Sequence, residues 1–188
     1  MSITKIVDHF IDTDLTGSQI KEIINKTPVL YSTIPKYTFN TLFPPSSPFQ
    51  IFLLQTTNVN TGHYVAVIVN KKKIEYFDPY GLGSPDSYKQ YTKFDQQYGS
   101  LLLNLLNSDP LKRPIISNKI DYQTRNNNVS TCGRWSCSRI MYRNLSQVQF
   151  AGLFSGNGGV LKDKDFLITL LTLNSMDNIP EYFDALTS

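Results

Sequence analysis

The 188-residue chain is long enough to form one globular domain with its own hydrophobic core. Hydrophobic residues make up 40% of it and charged residues 18%, which excludes a disordered tail, and its longest apolar runs are too short to cross a bilayer. A net charge of +3 without a basic stripe argues against nucleic acid as the main partner. Two cysteines are too few for a disulfide scaffold, so the composition predicts a soluble protein of a reducing compartment.

The first third of the chain predicts a short lead, one helix and one strand. Residues 1–15 show no clear periodicity, and His9 within them is expected to lie on the surface or to pack against neighbours. A helix is predicted over 18–25, a Pro/Ser loop over 43–48 and a strand over 49–56.

A β-hairpin is predicted from His63 to Asp78, where two β-rich runs flank a polar turn. If the turn is the two residues Asn70 and Lys71, His63 directly faces Asp78, with Cβ atoms about 4.5–5.5 Å apart. A four-residue turn would shift the pairing by two residues and keep both side chains on one face, whereas a three-residue turn would separate them unless a bulge intervened. The hairpin thus predicts a carboxylate that can orient the His63 ring, although "FDPYG" alone is equally typical of a strand that ends in a turn.

The second half of the chain predicts four helices and one short strand. The helices cover 86–107, 132–143, 162–174 and 178–186, the last two within a C-terminal segment 160–188, and the strand covers 120–123. Five apolar or aromatic residues of the first helix are expected to face the core: Tyr91, Tyr98, Leu101, Leu102 and Leu105. The elements together predict a single α+β domain over residues 1–188, in which a small mixed β-sheet packs against a central helix that starts at Cys132.

Both cysteines lie in one stretch, "TCGRWSC", as Cys132 and Cys137. A structural zinc site needs four ligands, and this chain offers two Cys and two His at unrelated spacings. Residues five apart on a helix point to different faces, which argues against a disulfide. Cys132 would begin the helix, where the macrodipole and the first N–H groups favour a thiolate, while Cys137 suits a small, buried and inert side chain. A cysteine without partners is more often a core residue, so Cys132 needs a base and an orienting group to be a nucleophile.

Gln123 precedes the polar loop that leads into the Cys132 helix. Acyl transfer needs hydrogen-bond donors aimed at the developing oxyanion, and the Cys132 N–H and the Gln123 side chain are candidates. Taken alone, Gln123 is more typical of a polar surface residue. In combination, however, four residues predict a complete site. Its nucleophile would be Cys132, its base His63, its orienting acid Asp78 and its oxyanion donor Gln123.

The motifs "GHYVAV", "YFDPYG" and "TCGRWSC", with Gln123 between the second and the third, resemble the adenain-like cysteine proteases. These are the adenovirus-type maturation proteases, which share a fold with the SUMO-type ubiquitin-like-protein proteases. The resemblance runs from about residue 15 to residue 144 and follows the family's order of His, Asp, Gln and Cys-Gly. Tyr64 stands where the family usually has Trp, and Cys137, which belongs to the helix, does not suit the disulfide that tethers adenain's activating peptide.

The resemblance implies a catalytic triad of Cys132, His63 and Asp78, with Gln123 in the oxyanion hole. It further implies a cysteine endopeptidase without cofactor or metal that cleaves viral precursor proteins of the capsid, at Gly-containing sites, during virion maturation. Expected partners are these precursors, with weak DNA contact at most, no membrane and no second copy of the chain. We expect such a protein in the host cytoplasm or viral factory and in the virion. With the Asn, Lys and Ile richness of the sequence, the resemblance suggests a virophage or polinton-type element.

Two other functions are compatible with the sequence. The same fold serves proteases for ubiquitin-like modifiers and also acyltransferases, since a fold does not fix a function. The small size and the adenain-like "FDPYG" argue against a modifier protease. The second alternative is a non-catalytic capsid or DNA-binding component. A complete set of catalytic residues argues against it.

Overall fold

The computed structural model describes residues 3–58, 61–87, 100–125, 129–156, 159–160 and 164–176. Its elements fall into two compact units, one formed by residues 28–121 and the other by residues 1–27 and 122–188. The sequence prediction of a mixed α+β fold with a small mixed sheet is confirmed. No helix in the described ranges is long and apolar enough to span a membrane.

The unit of residues 28–121 is built on a five-stranded mixed sheet. Its strands are β1 Val29–Leu30, β2 Phe49–Asn58, β3 Thr61–Val69, β4 Ile74–Phe77 and β5 Ile115–Ser117. They lie in sequence order, with β2, β3 and β4 antiparallel and the two outer strands parallel to their neighbours. Consecutive residues 63–69 of β3 are buried, so both faces of the sheet are covered there, which explains the nearly continuous apolar sequence of this strand.

Among its described residues, this unit also contains three short helices: a 3₁₀ helix Tyr31–Lys36, α3 Phe39–Leu42 and α4 Leu101–Asn107. Side chains from these helices and from the sheet form one apolar core, in which Leu102 of α4 and Tyr76 of β4 are fully buried. Burial of such a side chain contributes about 1.5–3 kcal/mol. The predicted helix over 86–107 is confirmed over Leu101–Asn107, while residues 88–99 of that prediction, with Tyr91 and Tyr98, lie outside the described residues.

The turn between β3 and β4 spans four residues, 70–73, and is therefore longer than a two-residue turn at Asn70 and Lys71. Asn70 builds this turn, because its side-chain Oδ1 accepts hydrogen bonds from the N–H groups of Lys72 and Lys73 at 3.0 and 2.9 Å. Its own N–H donates to the carbonyl oxygen of Lys73 at 3.0 Å. An asparagine that bonds its following backbone stabilises a turn locally, so the longer loop is preferred over a tight one.

The longer turn changes the strand register. Val69 pairs with Ile74, so the pairing of His63 directly opposite Asp78, expected for a two-residue turn, is wrong. The shift is two residues, as expected for a four-residue turn, and an even shift leaves every side chain on its original face of the sheet. His63 and Asp78 therefore remain on one face as diagonal neighbours.

The second unit consists mainly of helices. Its elements are α1 Ile3–Ile11, α2 Gly17–Ile24, α5 Cys132–Met141, α6 Gln147–Gly152, a small hairpin of β6 Ser155–Gly156 and β7 Gly159–Val160, and α7 Lys164–Leu173. Helix α7 packs against α1 and α5, and α2 packs against α5. A cluster of aromatic rings joins α5 to α6, with the ring centroids of Trp135 and Phe150 6.4 Å apart, and Phe154 just after α6 lies 4.7 Å from Trp135 by the same measure.

Most predicted helices of this unit are present. Helix α2 lies within one residue of the predicted 18–25, α5 begins at the predicted residue, and α7 falls inside the predicted 162–174. Two predictions need correction: α1 occupies part of the lead for which no element was predicted, and residues 120–123 form no strand. The nearby strand is β5, because Ile115 and its neighbours pair with β4 while the following backbone turns away. The predicted helix over 178–186 lies outside the described residues.

Gly62, directly before His63, lies so close to β2 that no side chain fits. A Cβ atom at this position would lie 2.0 Å from the carbonyl oxygen of Leu54. Gly62→Ala is therefore expected to force β2 and β3 apart and to lower the free energy of unfolding by about 1–3 kcal/mol, the usual cost of overpacking. Urea denaturation followed by circular dichroism measures this change.

The matched control is Gly152→Ala at the end of α6, where a Cβ atom would meet no atom within 4 Å. It is expected to leave stability unchanged or to raise it by up to about 1 kcal/mol, because alanine loses less backbone entropy in a helix than glycine. Equal urea midpoints for Gly62→Ala and the unmodified chain would contradict the close approach of the two strands.

Candidate active site

His63 and Asp78 form a buried hydrogen-bonded pair. The Nε2 atom of His63 lies 2.7 Å from Oδ1 of Asp78, and the two residues are 2% and 0% exposed. A carboxylate without solvent must be paired, since an isolated buried charge is costly. The contact that the sequence predicted between these residues is thus present, reached through the diagonal register described above.

The sequence "DPYG" explains how Asp78 is held. Gly81 donates its N–H to the carbonyl oxygen of Asp78 at 2.8 Å, closing a turn with Pro79 at its second position. The Asp78 carboxylate also accepts hydrogen bonds within the turn, from the N–H of Tyr80 at 2.8 Å and from the N–H of Leu82 at 3.4 Å. Gly81 has a φ of +63°, which favours glycine, and a Cβ atom there would lie 2.6 Å from the carbonyl oxygen of Ile120.

Asn118 fixes the backbone of Asp78 from the other side. Its Oδ1 accepts the N–H of Asp78 at 2.8 Å, and its Nδ2 donates to the Asp78 carbonyl oxygen at 2.7 Å. Nδ2 also donates to the carbonyl oxygen of Ile120 at 3.1 Å. Asn118 is buried, so this two-point bond to one residue sets where β4 ends and where its carboxylate points.

The ring of Tyr80 stacks on the ring of His63, with centroids 4.3 Å apart and planes inclined by 4°. The face of a phenol ring is negative and attracts a positively charged group, so the stack suits an imidazole that carries a proton during a reaction. Because Nε2 is occupied by the carboxylate, Nδ1 is the ring nitrogen that would exchange a proton with a nucleophile.

Cys132 is the first residue of α5 and is 5% exposed. The residue before it, Thr131, is the N-cap, and its carbonyl oxygen accepts the N–H of Trp135 at 2.9 Å. The Thr131 side chain does not cap the helix, so it leaves the N–H groups of the first turn to other acceptors. The N–H of Ser130 donates to the carbonyl oxygen of Ile11 at 2.7 Å, which ties the approach to α5 to the end of α1.

Gln123 is buried rather than exposed on the surface, at 1% exposure. Its Nε2 donates to the carbonyl oxygen of Val129 at 2.8 Å, which closes the base of the loop that leads to α5. An amide nitrogen carries two hydrogens, so this bond anchors the side chain and leaves the second N–H for another acceptor. Its Oε1 is buried without a hydrogen-bond partner in the part of the chain that the structure describes.

Cys137 differs from Cys132 in its surroundings. Both cysteines are free thiols, but Cys137 is fully buried inside α5. Burial raises the pKa of the Cys137 thiol far above its usual range, although the nearby charge of Arg134 acts in the opposite direction. The thiol of Cys137 therefore stays protonated in the folded protein, as expected for an inert packing residue.

The structure brings His63 and Asp78 into direct contact, within the unit of residues 28–121. Gln123 and Cys132 belong to the other unit. His9 is exposed in α1 and carries no contact to a carboxylate among the described residues. No group of three or more His, Cys, Asp or Glu side chains that could hold a metal lies within the described ranges.

Sequence reasoning missed the roles of Tyr80 and Asn118. Tyr80 lies inside the "FDPYG" motif, where an aromatic residue beside a candidate acid is a usable signal. Asn118 directly follows β5, but its partner is 40 residues away, and no local pattern reveals such a bond.

Comparison with known proteins defines the fold class. No protein-family model matches the chain. The solved structure of the ASFV pS273R protease is similar, with a TM-score of 0.50 and 16% identity, over 84% of this chain and 67% of that chain. At this identity the likeness shows the fold, which is that of a viral protease, and the resemblance to adenain in particular stays a prediction.

A sequence relative is also viral. The chain is 29% identical over 153 residues to "Uncharacterized protein V9" of Sputnik virophage. The matched region covers 77% of this chain and 85% of that protein. The comparisons thus connect the chain to viral proteins, one of them a protease.

The difference between the two thiols is testable by alkylation. Limiting iodoacetamide at about pH 6.5, well below the ordinary thiol pKa of about 8.5, is expected to label Cys132 and to spare Cys137. The selectivity should persist as the pH rises toward 9, because the raised pKa keeps Cys137 protonated while the protein stays folded. Peptide mapping after partial alkylation measures the label on each cysteine.

Cys137→Ala serves as the control and should retain the labelling rate of the unmodified chain. Denaturation should abolish the selectivity, because the unfolded Cys137 ionises with an ordinary pKa. Equal labelling of both cysteines in the folded protein would contradict the distinction.

Proposed function

We propose that this protein is a cysteine endopeptidase in which Cys132 is the nucleophile and His63 its base. The observation that carries the proposal is the 2.7 Å bond between Nε2 of His63 and the buried carboxylate of Asp78, in a chain with a protease-like fold. A histidine fixed by a buried acid and stacked on an aromatic ring is arranged to take up and release a proton.

In the first step, the Cys132 thiol gives its proton to Nδ1 of His63, and Sγ attacks the carbonyl carbon of the scissile peptide bond. The C=O electron pair moves to oxygen, and the N–H of Cys132 with the Gln123 amide stabilises the resulting oxyanion. As the tetrahedral intermediate collapses, the C–N bond breaks and His63 protonates the leaving amine. Asp78 keeps the ring oriented and stabilises its positive charge throughout.

In the second step, water hydrolyses the thioester. His63 takes a proton from the water, whose oxygen attacks the acyl carbon while Sγ departs as the thiolate. The chemistry requires no metal or organic cofactor, since the cysteine supplies the nucleophile and the imidazole transfers the proton.

We further propose that the substrates are viral precursor proteins, cut at Gly-containing sites during virion maturation. The viral relatives and the resemblance of the site motifs to adenain-like proteases support this substrate class. The protein would then act as a monomer in the viral factory or cytoplasm of the host and in the virion, with DNA contact weak at most.

The decisive experiment incubates the purified protein with virion precursor proteins and sequences the new termini. New N-termini that appear with the unmodified chain and not with Cys132→Ala are the expected result. Cleavage of a ubiquitin-like modifier amide reporter instead would favour a modifier protease. No cleavage of either substrate would favour a non-catalytic role.

Two substitutions test the base and its orienting acid. His63→Ala is expected to reduce turnover about as much as Cys132→Ala, because residues that act as a unit are not additive. Asp78→Asn is expected to cost less than either, since it orients the ring without reacting. Initial cleavage rates of the same precursor measure all three.

The matched control for His63→Ala is His9→Ala, which removes the exposed histidine of α1 and should leave the rate unchanged. The reverse outcome, loss with His9→Ala and retention with His63→Ala, would assign the base to His9 and overturn the proposal.

Gln123→Ala tests the oxyanion donor. Loss of one such donor typically lowers turnover by about a hundred- to thousand-fold. Gln50→Ala is the matched control, because Gln50 is also buried and its Nε2 also donates to a backbone carbonyl, that of Ile51. Both variants should lose stability, but only Gln123→Ala should lose turnover per folded molecule. A loss under about tenfold would move the donor role to another residue.

A further inference from the structure

Asp165 in the first turn of α7 connects three points of the chain around Gln123 and Cys132. Its Oδ1 accepts hydrogen bonds from Oγ1 of Thr131 at 2.5 Å and from Nε1 of Trp135 at 3.0 Å. Its Oδ2 accepts the N–H of Thr124 at 3.0 Å. One carboxylate thus holds the residue after Gln123, the residue before Cys132 and a side chain one turn into α5.

The two bonds to Oδ1 form in a dry environment, whereas Thr124, which donates to Oδ2, is exposed. Asp165 is 7% exposed, while Thr131 and Trp135 are completely buried. A buried carboxylate is tolerated only when donors satisfy it, and bonds to a charged acceptor are stronger than neutral ones. The position of Asp165 in the first turn of α7 adds the favourable interaction of a negative charge with a helix N-terminus. Its neighbours cannot move without losing these contacts.

The N-cap of α5 differs from the other side-chain caps of this structure. Thr16, Thr38 and Ser146 precede their helices with extended backbones, at ψ values of 159°, 163° and 161°, and each side chain accepts an N–H of its own helix. Thr131 has a ψ of 5° and makes no such bond. Its hydroxyl is directed instead to Asp165.

We propose that Asp165 is a positioning residue for catalysis: by holding the Thr131 hydroxyl and the Thr124 backbone, it keeps that hydroxyl from competing for the first N–H groups of α5 and fixes the backbone next to Gln123. The inference rests on the proposed peptidase function. It does not depend on the resemblance to adenain-like proteases, because that resemblance ends before α7.

Loss of the carboxylate has a specific consequence. Without Asp165, the Thr131 hydroxyl has no acceptor at this position and can rotate to bond an N–H of the first turn of α5, as threonine does at ordinary N-caps. The hydroxyl would then compete with the substrate oxyanion for the same donors. The Gln123 loop would at the same time lose its bond at Thr124.

The test compares Asp165→Ala with Asp109→Ala. Asp109 is also a buried aspartate, but it pairs with Arg113 at 2.7 Å in the turn before β5, within the unit of residues 28–121, whereas Cys132 and Gln123 belong to the other unit. Both variants should be less stable than the unmodified chain. Per folded molecule, however, Asp165→Ala should cleave the virion precursor with a kcat about a hundredfold lower and a nearly unchanged KM, the effect of misplaced reacting groups. Asp109→Ala should keep its kcat.

A second substitution separates positioning from general damage. Thr131→Val removes the hydroxyl and keeps the side-chain shape, so alone it should leave most activity. In the Asp165→Ala background it should restore part of the lost kcat, because no hydroxyl remains to compete for the N–H groups of α5. Two results together would overturn the proposed mechanism. The double variant would be no faster than Asp165→Ala, and Thr131→Val alone would be as slow as Asp165→Ala.

The chain's single tryptophan gives a readout that does not depend on activity. Since Nε1 of Trp135 donates to Asp165, native-state fluorescence should change in Asp165→Ala and not in Asp109→Ala. If Asp165→Ala does not fold, Asp165→Asn keeps the volume but retains only one acceptor oxygen, and a loss of about tenfold is expected.

The outcomes for the two proposals are distinct. If the unmodified chain cleaves the precursor and the Asp165 variants keep its full kcat, the positioning role alone is overturned. Absence of cleavage by the unmodified chain would overturn the peptidase function, and with it the catalytic role of Asp165.

Discussion

The buried carboxylate of Asp78 is the constraint on which the arrangement at one end of the sheet depends. A charge with no solvent contact must find donors, and each donor here fixes a different part of the chain. The turn that follows β4 supplies two backbone N–H groups, and His63 supplies its ring. Asn118 then holds the Asp78 backbone in the one position that satisfies all of them. The orientation of the histidine is thus a consequence of satisfying one buried acid.

Helix α5 shows how one helix gives two identical side chains different surroundings. Residues 132–140 are buried along nearly the whole helix. Arg139 donates to the carbonyl oxygens of Tyr142 and Leu145, just beyond the C-terminal end of the helix. Cys137 lies within this packed segment, where ionisation is strongly opposed. Cys132 stands at the end where the helix dipole favours negative charge and where the Thr131 side chain does not cap the backbone. A rigid helix is a suitable carrier for a reacting atom, because it holds that atom to a fraction of an ångström.

Similarity to a protease structure at 16% identity shows that this fold persists when most side chains have changed. What persists is the arrangement of sheet and helices, which depends on apolar patterning rather than on particular residues. Function depends instead on a few polar groups and on the contacts that orient them. Contacts to the proposed site residues or to their chain neighbours come from Tyr80, Asn118 and Asp165, which lie in turns and at element ends.

The sequence by itself determined the elements with local signals. Helix α2 follows from its capping threonine and apolar spacing, the hairpin from two apolar runs around a polar turn, and α5 and α7 from their periodicity. It also singled out Cys132, His63 and Asp78, because few residue types can perform nucleophilic chemistry. Helix α1 was missed although Ile6, Val7 and Phe10 have helical spacing, since nine residues give a weak signal.

Only the tertiary structure decided the strand register, the burial of Gln123 and the partners of the site residues. The register followed from the Asn70 side chain, which favours a four-residue turn that composition alone does not distinguish from a shorter one. Asn118 meets Asp78 across 40 residues, and Asp165 meets Thr131 across 34. Such bonds are set by how packed elements bring distant backbone together, and the free energy that selects them is the cost of leaving a buried polar group unpaired. That cost exists only once the chain has folded, so no local pattern in the sequence records it.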